Sequence, residues 1–269
     1  MEHVVAAQMM MHYGHPGHVM PAWLTSHGFI GLWLGPTVVL NKLRYGIFRF
    51  SELFYEWRYG IVSDTEILAG QLGITDLACH DYLATGYLRF RQLMRNLVIR
   101  PDEDVFLDFG SGLGRAVILA ATYPFRKVIG VELVADLHAR AQENVRRTRR
   151  RLRCRDIELH NADARRFHIP AEVTVIYMWN PFSGEVLRQV LANIRQSMLE
   201  APRIITILHL SPTIPTAFDS LKQGLPWLRE CKRLRLGASS HAAIYRCGEP
   251  ELLDDGAQAV QELAEARKA

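Results

Sequence analysis

Three acids and a run of glycines carry the chemical signal in this 269-residue chain. Asp108-Phe109-Gly110-Ser111-Gly112-Leu113-Gly114-Arg115 follows an apolar run and opens an amphipathic one. Glycines at such a junction let the backbone turn sharply and approach a ligand. The spacing is Gly-x-Gly-x-Gly, whereas a dinucleotide loop is Gly-x-Gly-x-x-Gly, and here Arg115 takes the place of its last glycine. An acid two residues before the first glycine is awkward for a loop that cradles phosphates, so Asp108 suits a cationic ligand better. Glu132 closes "VIGVE", Asp163 follows "DIELH", and Asn180-Pro181-Phe182 ends the apolar run "VTVIYM" plus Trp179. Asn-Pro is a common turn starter, so this last stretch is either a turn or a tool.

The elements that must position these residues are legible from Asp104 onward. Short apolar runs, "VFLDF", "KVIGVE", "DIELH", "VTVIYM" and "IITILHL", alternate with amphipathic stretches of helix length. That alternation predicts a parallel sheet covered by helices on both faces. "CKRLRLGASSHAAIYRC" predicts a terminal hairpin with a Gly-Ala-Ser-Ser turn, and the tail after Glu251 a surface helix. Helical periodicity over Ser51 to Asn96, broken at Gly60, Gly70 and Gly73, predicts a helical lead-in. The organisation expected is an uncharged apolar arm at 1–41, a helical lead-in and cofactor lid at 42–103, the main domain at 104–248 and a C-terminal helix at 249–269.

"VFLDFGSGLGRAV" resembles motif I of the seven-strand, class I S-adenosylmethionine-dependent methyltransferases, and the similarity runs over roughly Asp104 to Cys247. The resemblance implies an α/β, Rossmann-like seven-strand methyltransferase sheet, here with a helical, apolar N-terminal extension, and S-adenosyl-L-methionine as cofactor. It places Gly110, Ser111, Gly112 and Gly114 along the methionyl part and Asp108 on its amino group. It puts Glu132 on the two ribose hydroxyls, which a carboxylate can accept together, and Asp163 on the adenine amino group. A nicotinamide oxidoreductase would also use Glu132 but leaves Asp108 and Arg115 unexplained.

After the fourth strand, "NPF" resembles the Asn/Asp-Pro-Pro-Tyr/Phe of family members that methylate amino groups, without the second proline. By that resemblance Asn180 accepts from the N–H groups of the acceptor, and Phe182, after Pro181, packs on it. The chain is also distantly similar to the non-SET histone-lysine methyltransferases, through "GSGLG", "GVE" and "NPFSGEV". Their lid resembles "YLATGY", which brings Tyr82 and Thr85 to the methionine end. The expected acceptor is thus a nitrogen, a protein amine favoured over nucleic acid or a small molecule. The reading in competition is a non-catalytic protein that keeps the fold for assembly or membrane docking. His209 in "ILHL" points to the same edge, as a base or as a structural histidine.

Composition sets the remaining bounds. A net charge of +4 with 49% hydrophobic and 22% charged residues describes a globular chain that an anionic partner would suit but is not required by. Cys79, Cys154, Cys231 and Cys247 form no Cys-x-x-Cys pair, which predicts a reducing, cytoplasmic setting. From Val4 to Asn41 there is no charged side chain, so the arm is expected to be buried, dimer-forming or a membrane-surface contact. His12, His15 and His18 are separated by glycine and proline, and no metal site is expected. "RRTRRRLRCR", Arg146 to Arg155, is expected at a helix C-terminus remote from the cofactor edge, complementing the dipole.

Overall fold

The structure, a computed structural model, describes residues 36–63, 66–73, 79–212, 216–222, 224–236 and 240–249. The arm before Pro36 with its three histidines, the turn at 237–239 and the expected C-terminal helix lie outside them. The chain divides into two compact units after Ile47, and the sheet and every site below belong to the second, Phe48–Ala269.

Helix α1 spans Pro36–Tyr59 and so begins inside the uncharged arm. Its proline occupies the first helical position, where a missing N–H leaves no bond unmade. Two short strands, β1 (Glu66–Ile67) and β2 (Tyr82–Leu83), pair antiparallel, and α2 follows at Tyr87–Met94. Then the expected alternation unfolds: β3 (Val105–Phe109), α3 (Arg115–Ala120), β4 (Lys127–Glu132), α4 (Ala135–Thr148), β5 (Ile157–Asn161), β6 (Val173–Trp179), α5 (Gly184–Glu200) and β7 (Ile205–Ser211). A short α6 (Ala217–Leu221) leads to the hairpin β8 (Leu228–Arg235) and β9 (His241–Cys247).

The main sheet has seven strands in the order β5-β4-β3-β6-β7-β9-β8. The first five are parallel, and β9 joins β7 antiparallel. All five residues of β3 are buried, as a central strand covered on both faces requires. One core packs α2 and α3 against Phe106, Val128, Val175 and Tyr177; the other packs α5 against Leu107, Ile129, Ile176 and Met178. Strand order reverses at β3, whose neighbours β4 and β6 connect in opposite directions. A crevice beyond the carboxyl ends of the strands at that point is where open α/β sheets bind ligands.

Candidate cofactor and acceptor site

The glycine loop fills that crevice. Gly110 and Ser111 both donate their N–H to the Val131 carbonyl, at 2.9 and 3.0 Å, which ties the loop to the end of β4. Gly110, Gly112 and Gly114 all have positive φ. At the first two, close approach adds to the need for glycine: a Cβ would lie 2.6 Å from Pro181 Cβ at Gly110 and 2.1 Å from the Tyr82 ring at Gly112. The loop is thus pressed between the segment after β6 and the strap containing β2.

That strap, 79–87, is fastened at several points. The Tyr82 hydroxyl donates to the Ser63 carbonyl at 3.0 Å, and Thr85 Oγ1 lies 2.7 Å from the Tyr177 hydroxyl in the buried interior. The Thr85 carbonyl accepts from Arg115 at 3.1 Å. Arg115 is 2% exposed, stacks over the Tyr87 ring, and ion-pairs with Glu52 and with Glu56, the latter at 2.9 Å. Its Nε also donates to Ser63 Oγ. Glu52 and Glu56 stand one turn apart on α1, so the arginine that distinguished the loop in the sequence joins loop, strap and helix through one cation. Fully buried pairs of this kind are retained only where hydrogen bonds satisfy both charges, as they do here.

The three acids sit in three different environments. Asp108 is buried with no donor reaching its carboxylate among the described residues; burial, and then the nearby Glu132 charge, push its pKa well above the usual carboxylate range. Glu132 accepts from Gly112 N–H and Val134 N–H, both at 2.8 Å. Burial raises its pKa while those two amides pull it back. Asp163 is held by Arg165, whose guanidinium forks onto both carboxylate oxygens, and its pKa is lowered by that bond.

Two adjoining chambers connect these groups. The outer one is lined by Glu132, Leu133, Asp163, Ala164, Phe182 and His80. The inner one is lined by Thr85, Asp108, Ser111, Arg115 and Tyr177, and Tyr82, Leu83, Gly110 and Trp179 wall both. Phe182, one of the residues lining the outer chamber, is buried and edge-to-face on Phe109. Asn180 lines neither chamber. Its backbone is left-handed, at φ 43°, a conformation asparagine tolerates, and its side chain turns onto His80. His80 Nδ1 lies 2.7 Å from the Asn180 carbonyl and 3.0 Å from its amide nitrogen, and the His80 N–H donates to Pro181 O at 3.0 Å. A backbone carbonyl only accepts, so Nδ1 carries the proton; the side-chain amide then faces it best through Oδ1.

His209 is excluded from the site. It is buried against Phe218 with Nδ1 unpartnered, and burial pulls its pKa to about 3.

Residues 106–200 match the family model described as a methyltransferase domain. This stretch of the chain is a methyltransferase domain. Among solved structures, the enzyme resembles an RNA methyltransferase from Salinibacter ruber bound to S-adenosyl-L-homocysteine, at 21% identity and a TM-score of 0.44, over 63% of this chain and 95% of that one. It also resembles a ribosomal protein L11 methylase from Lactobacillus delbrueckii subsp. bulgaricus, at 14% identity and TM-score 0.44 over 60% and 78% of the two chains. A third is a SAM-dependent methyltransferase from Aquifex aeolicus, at 14% identity and TM-score 0.45 over 59% and 89%. No curated protein sequence matches the chain.

The residues present fit S-adenosylmethionine as the cofactor of that domain. An inner chamber holding an undonated carboxylate matches an ammonium, and an outer chamber with a strand-end carboxylate matches a ribose diol beside a purine. Pattern reading missed His80 and Trp179 as site residues. His80 directly precedes "DYLATGY", but nothing in the local sequence couples it to Asn180, 100 residues away.

Proposed function

We propose that the enzyme methylates a nitrogen acceptor, a protein amine, at the outer mouth between His80, Trp179 and Pro181. In this reading Asp108 takes the cofactor's ammonium, Glu132 the ribose hydroxyls, and Gly110, Ser111, Gly112 and Gly114 give the methionyl chain its close backbone approach. Asp163 takes the adenine amino group once it shares or releases Arg165. Tyr82 and Thr85 close the strap over the methionine end. When bound, the cofactor supplies a sulfonium methyl whose leaving group is a neutral thioether, so no acid is needed on that side.

The acceptor is where this chain's own residues matter. An amine reaches the site as an ammonium and must shed a proton before its lone pair can form the new N–C bond as the C–S bond breaks and its electron pair goes to sulfur. With Nδ1 protonated and bonded to Asn180, His80 Nε2 keeps its lone pair and can receive that proton. Asn180 thereby acts as a positioning residue that fixes the tautomer, and Pro181 and Trp179 exclude water. The observation that carries the proposal is the His80 Nδ1 contact with Asn180.

The test is methyl transfer from radiolabelled cofactor into a cell extract, followed by identification of the labelled component. Label in protein, released as N-methylated amino acid on hydrolysis, is expected, with His80→Ala and Asn180→Ala both impaired although S-adenosylhomocysteine still binds. Label confined to RNA or to a small molecule, or full turnover in both variants, would overturn it.

A further inference from the structure

Helix α1 turns its acids inward and its aromatics outward. Beyond Phe48, Glu52 and Glu56 face Arg115, whereas Phe50, Leu53, Phe54 and Trp57 stand on the other side, Phe50 72% and Trp57 75% exposed. Their rings form one ridge, with Phe54 centred 6.5 Å from Phe50 and 6.0 Å from Trp57. Val62, past the end of the helix, is exposed as well. Contiguous apolar surface of this kind marks an interaction site, unlike singly scattered residues.

The ridge ends beside the arginine run. Thr148 Oγ1 donates to the Tyr59 carbonyl at 3.2 Å, Arg151 donates to the Arg58 carbonyl, and Asn144 bonds both backbone groups of Val62. Between Arg146 and Arg155 there are seven arginines, and Arg58 adds another at the junction. Glu143 neutralises Arg146 and Arg147, but the guanidiniums of Arg150 and Arg153 meet no partner among the described residues. The helix dipole explains basic residues here; it does not explain so many, nor their meeting an aromatic ridge. The sequence leading into the ridge adds to the pattern, since no Asp or Glu occurs between Glu2 and Glu52.

We propose that this face docks on an anionic lipid bilayer, with Phe50, Leu53, Phe54 and Trp57 at headgroup depth and the arginines on the phosphates. An interfacial helix combines these two features, large apolar and aromatic side chains on one side and guanidiniums beside them. No helix among the described residues is long and apolar enough to cross a membrane, so the contact is peripheral. RNA would favour aromatics interleaved with the arginines for stacking, whereas here they cluster together on α1 with the exposed aliphatic Leu53.

The test is co-sedimentation of the full chain with vesicles of phosphatidylcholine alone and of phosphatidylcholine with phosphatidylserine, at low and high salt. Binding to the phosphatidylserine vesicles alone, weakened by salt, is expected. Each charge removed in Arg150→Gln and Arg153→Gln should lower the affinity by about fivefold. Phe50→Ser with Trp57→Ser should abolish binding while S-adenosylhomocysteine affinity, the check on folding, is unchanged. Equal binding to neutral vesicles, or wild-type binding by these variants, would overturn the proposal and leave the residues before Pro36 as the lipid contact. Retention on RNA without vesicle binding, or a dimer that Phe50→Ser and Trp57→Ser dissolve, would also overturn it, in favour of those occupants.

Discussion

Arg115 and Glu52 are 63 residues apart in sequence and form a buried ion pair between the first turn of α3 and the inner face of α1. Removing one member leaves the other charge uncompensated in the interior, which costs about 3–5 kcal/mol. Arg115→Met should lower the denaturant midpoint accordingly, and Glu52→Gln by less, because Glu56 still neutralises the arginine. Urea unfolding followed by far-UV circular dichroism checks both, and a change of under about 1 kcal/mol in Arg115→Met would show the network to be dispensable.

At Gly112 the loop and the strap touch with no room for a methyl group. Gly112→Ala must displace the Tyr82 ring and hold a left-handed backbone at a cost of about 1–2 kcal/mol. Calorimetric affinity for S-adenosylhomocysteine should fall by more than about tenfold. Adding Tyr82→Ala should recover part of the fold's stability without restoring affinity.

Asp108 sets a stability trade-off. Its folded pKa lies above its unfolded one, so its contribution is fully present below the unfolded value of 3.8 and is lost as pH rises through the folded value. Asp108→Asn should therefore raise the ligand-free melting temperature near neutral pH. The same change should weaken S-adenosylhomocysteine binding by about 10–100-fold, since a charge-assisted bond is lost. Wild-type affinity should rise with pH across that window while the ligand's ammonium stays protonated, and the variant's affinity should not.

His209 works in the opposite sense. Its folded pKa of about 3 lies below the unfolded 6.5, so the stability it contributes is present above pH 6.5 and is lost as pH falls toward 3. Between pH 6.5 and 5 the loss is about 2 kcal/mol. His209→Leu should flatten that slope in thermal melts and leave the pH profile of methyl transfer unchanged.

The sheet was legible because pattern and burial agree in it: β3 is buried throughout and apolar at every position but Asp108, Glu132 closes β4, and Asp163 follows β5 as expected. The glycine loop was legible because its residue types are dictated by φ and by clearance. What pattern could not show was tertiary pairing. Arg115 stood out as a departure from the dinucleotide pattern, yet its partners Glu52 and Glu56 read simply as polar residues of an amphipathic helix. Asn180 was visible as an amide at the right edge, but its turn toward His80 depends on a left-handed backbone that no neighbouring residue type announces. Asp163 fell where an acid was expected, and its capture by Arg165, two residues on, is local chemistry that the spacing permitted without requiring.

The strap over the two chambers has a kinetic consequence. It is pinned by His80 to the residues after β6 and by Thr85 to Tyr177 and Arg115, so with the cofactor beneath it, as proposed above, release requires several bonds to part together. Exchange then becomes a gated event, slower than the displacement it serves. A burst of methylated product in the first turnover, followed by a steady rate that falls with solvent viscosity, is the expected signature; linear time courses from mixing onward would place the slow step in chemistry. In that case Thr85→Val, which loosens one pin, should leave the steady rate unchanged or lower, whereas a gate predicts a faster one.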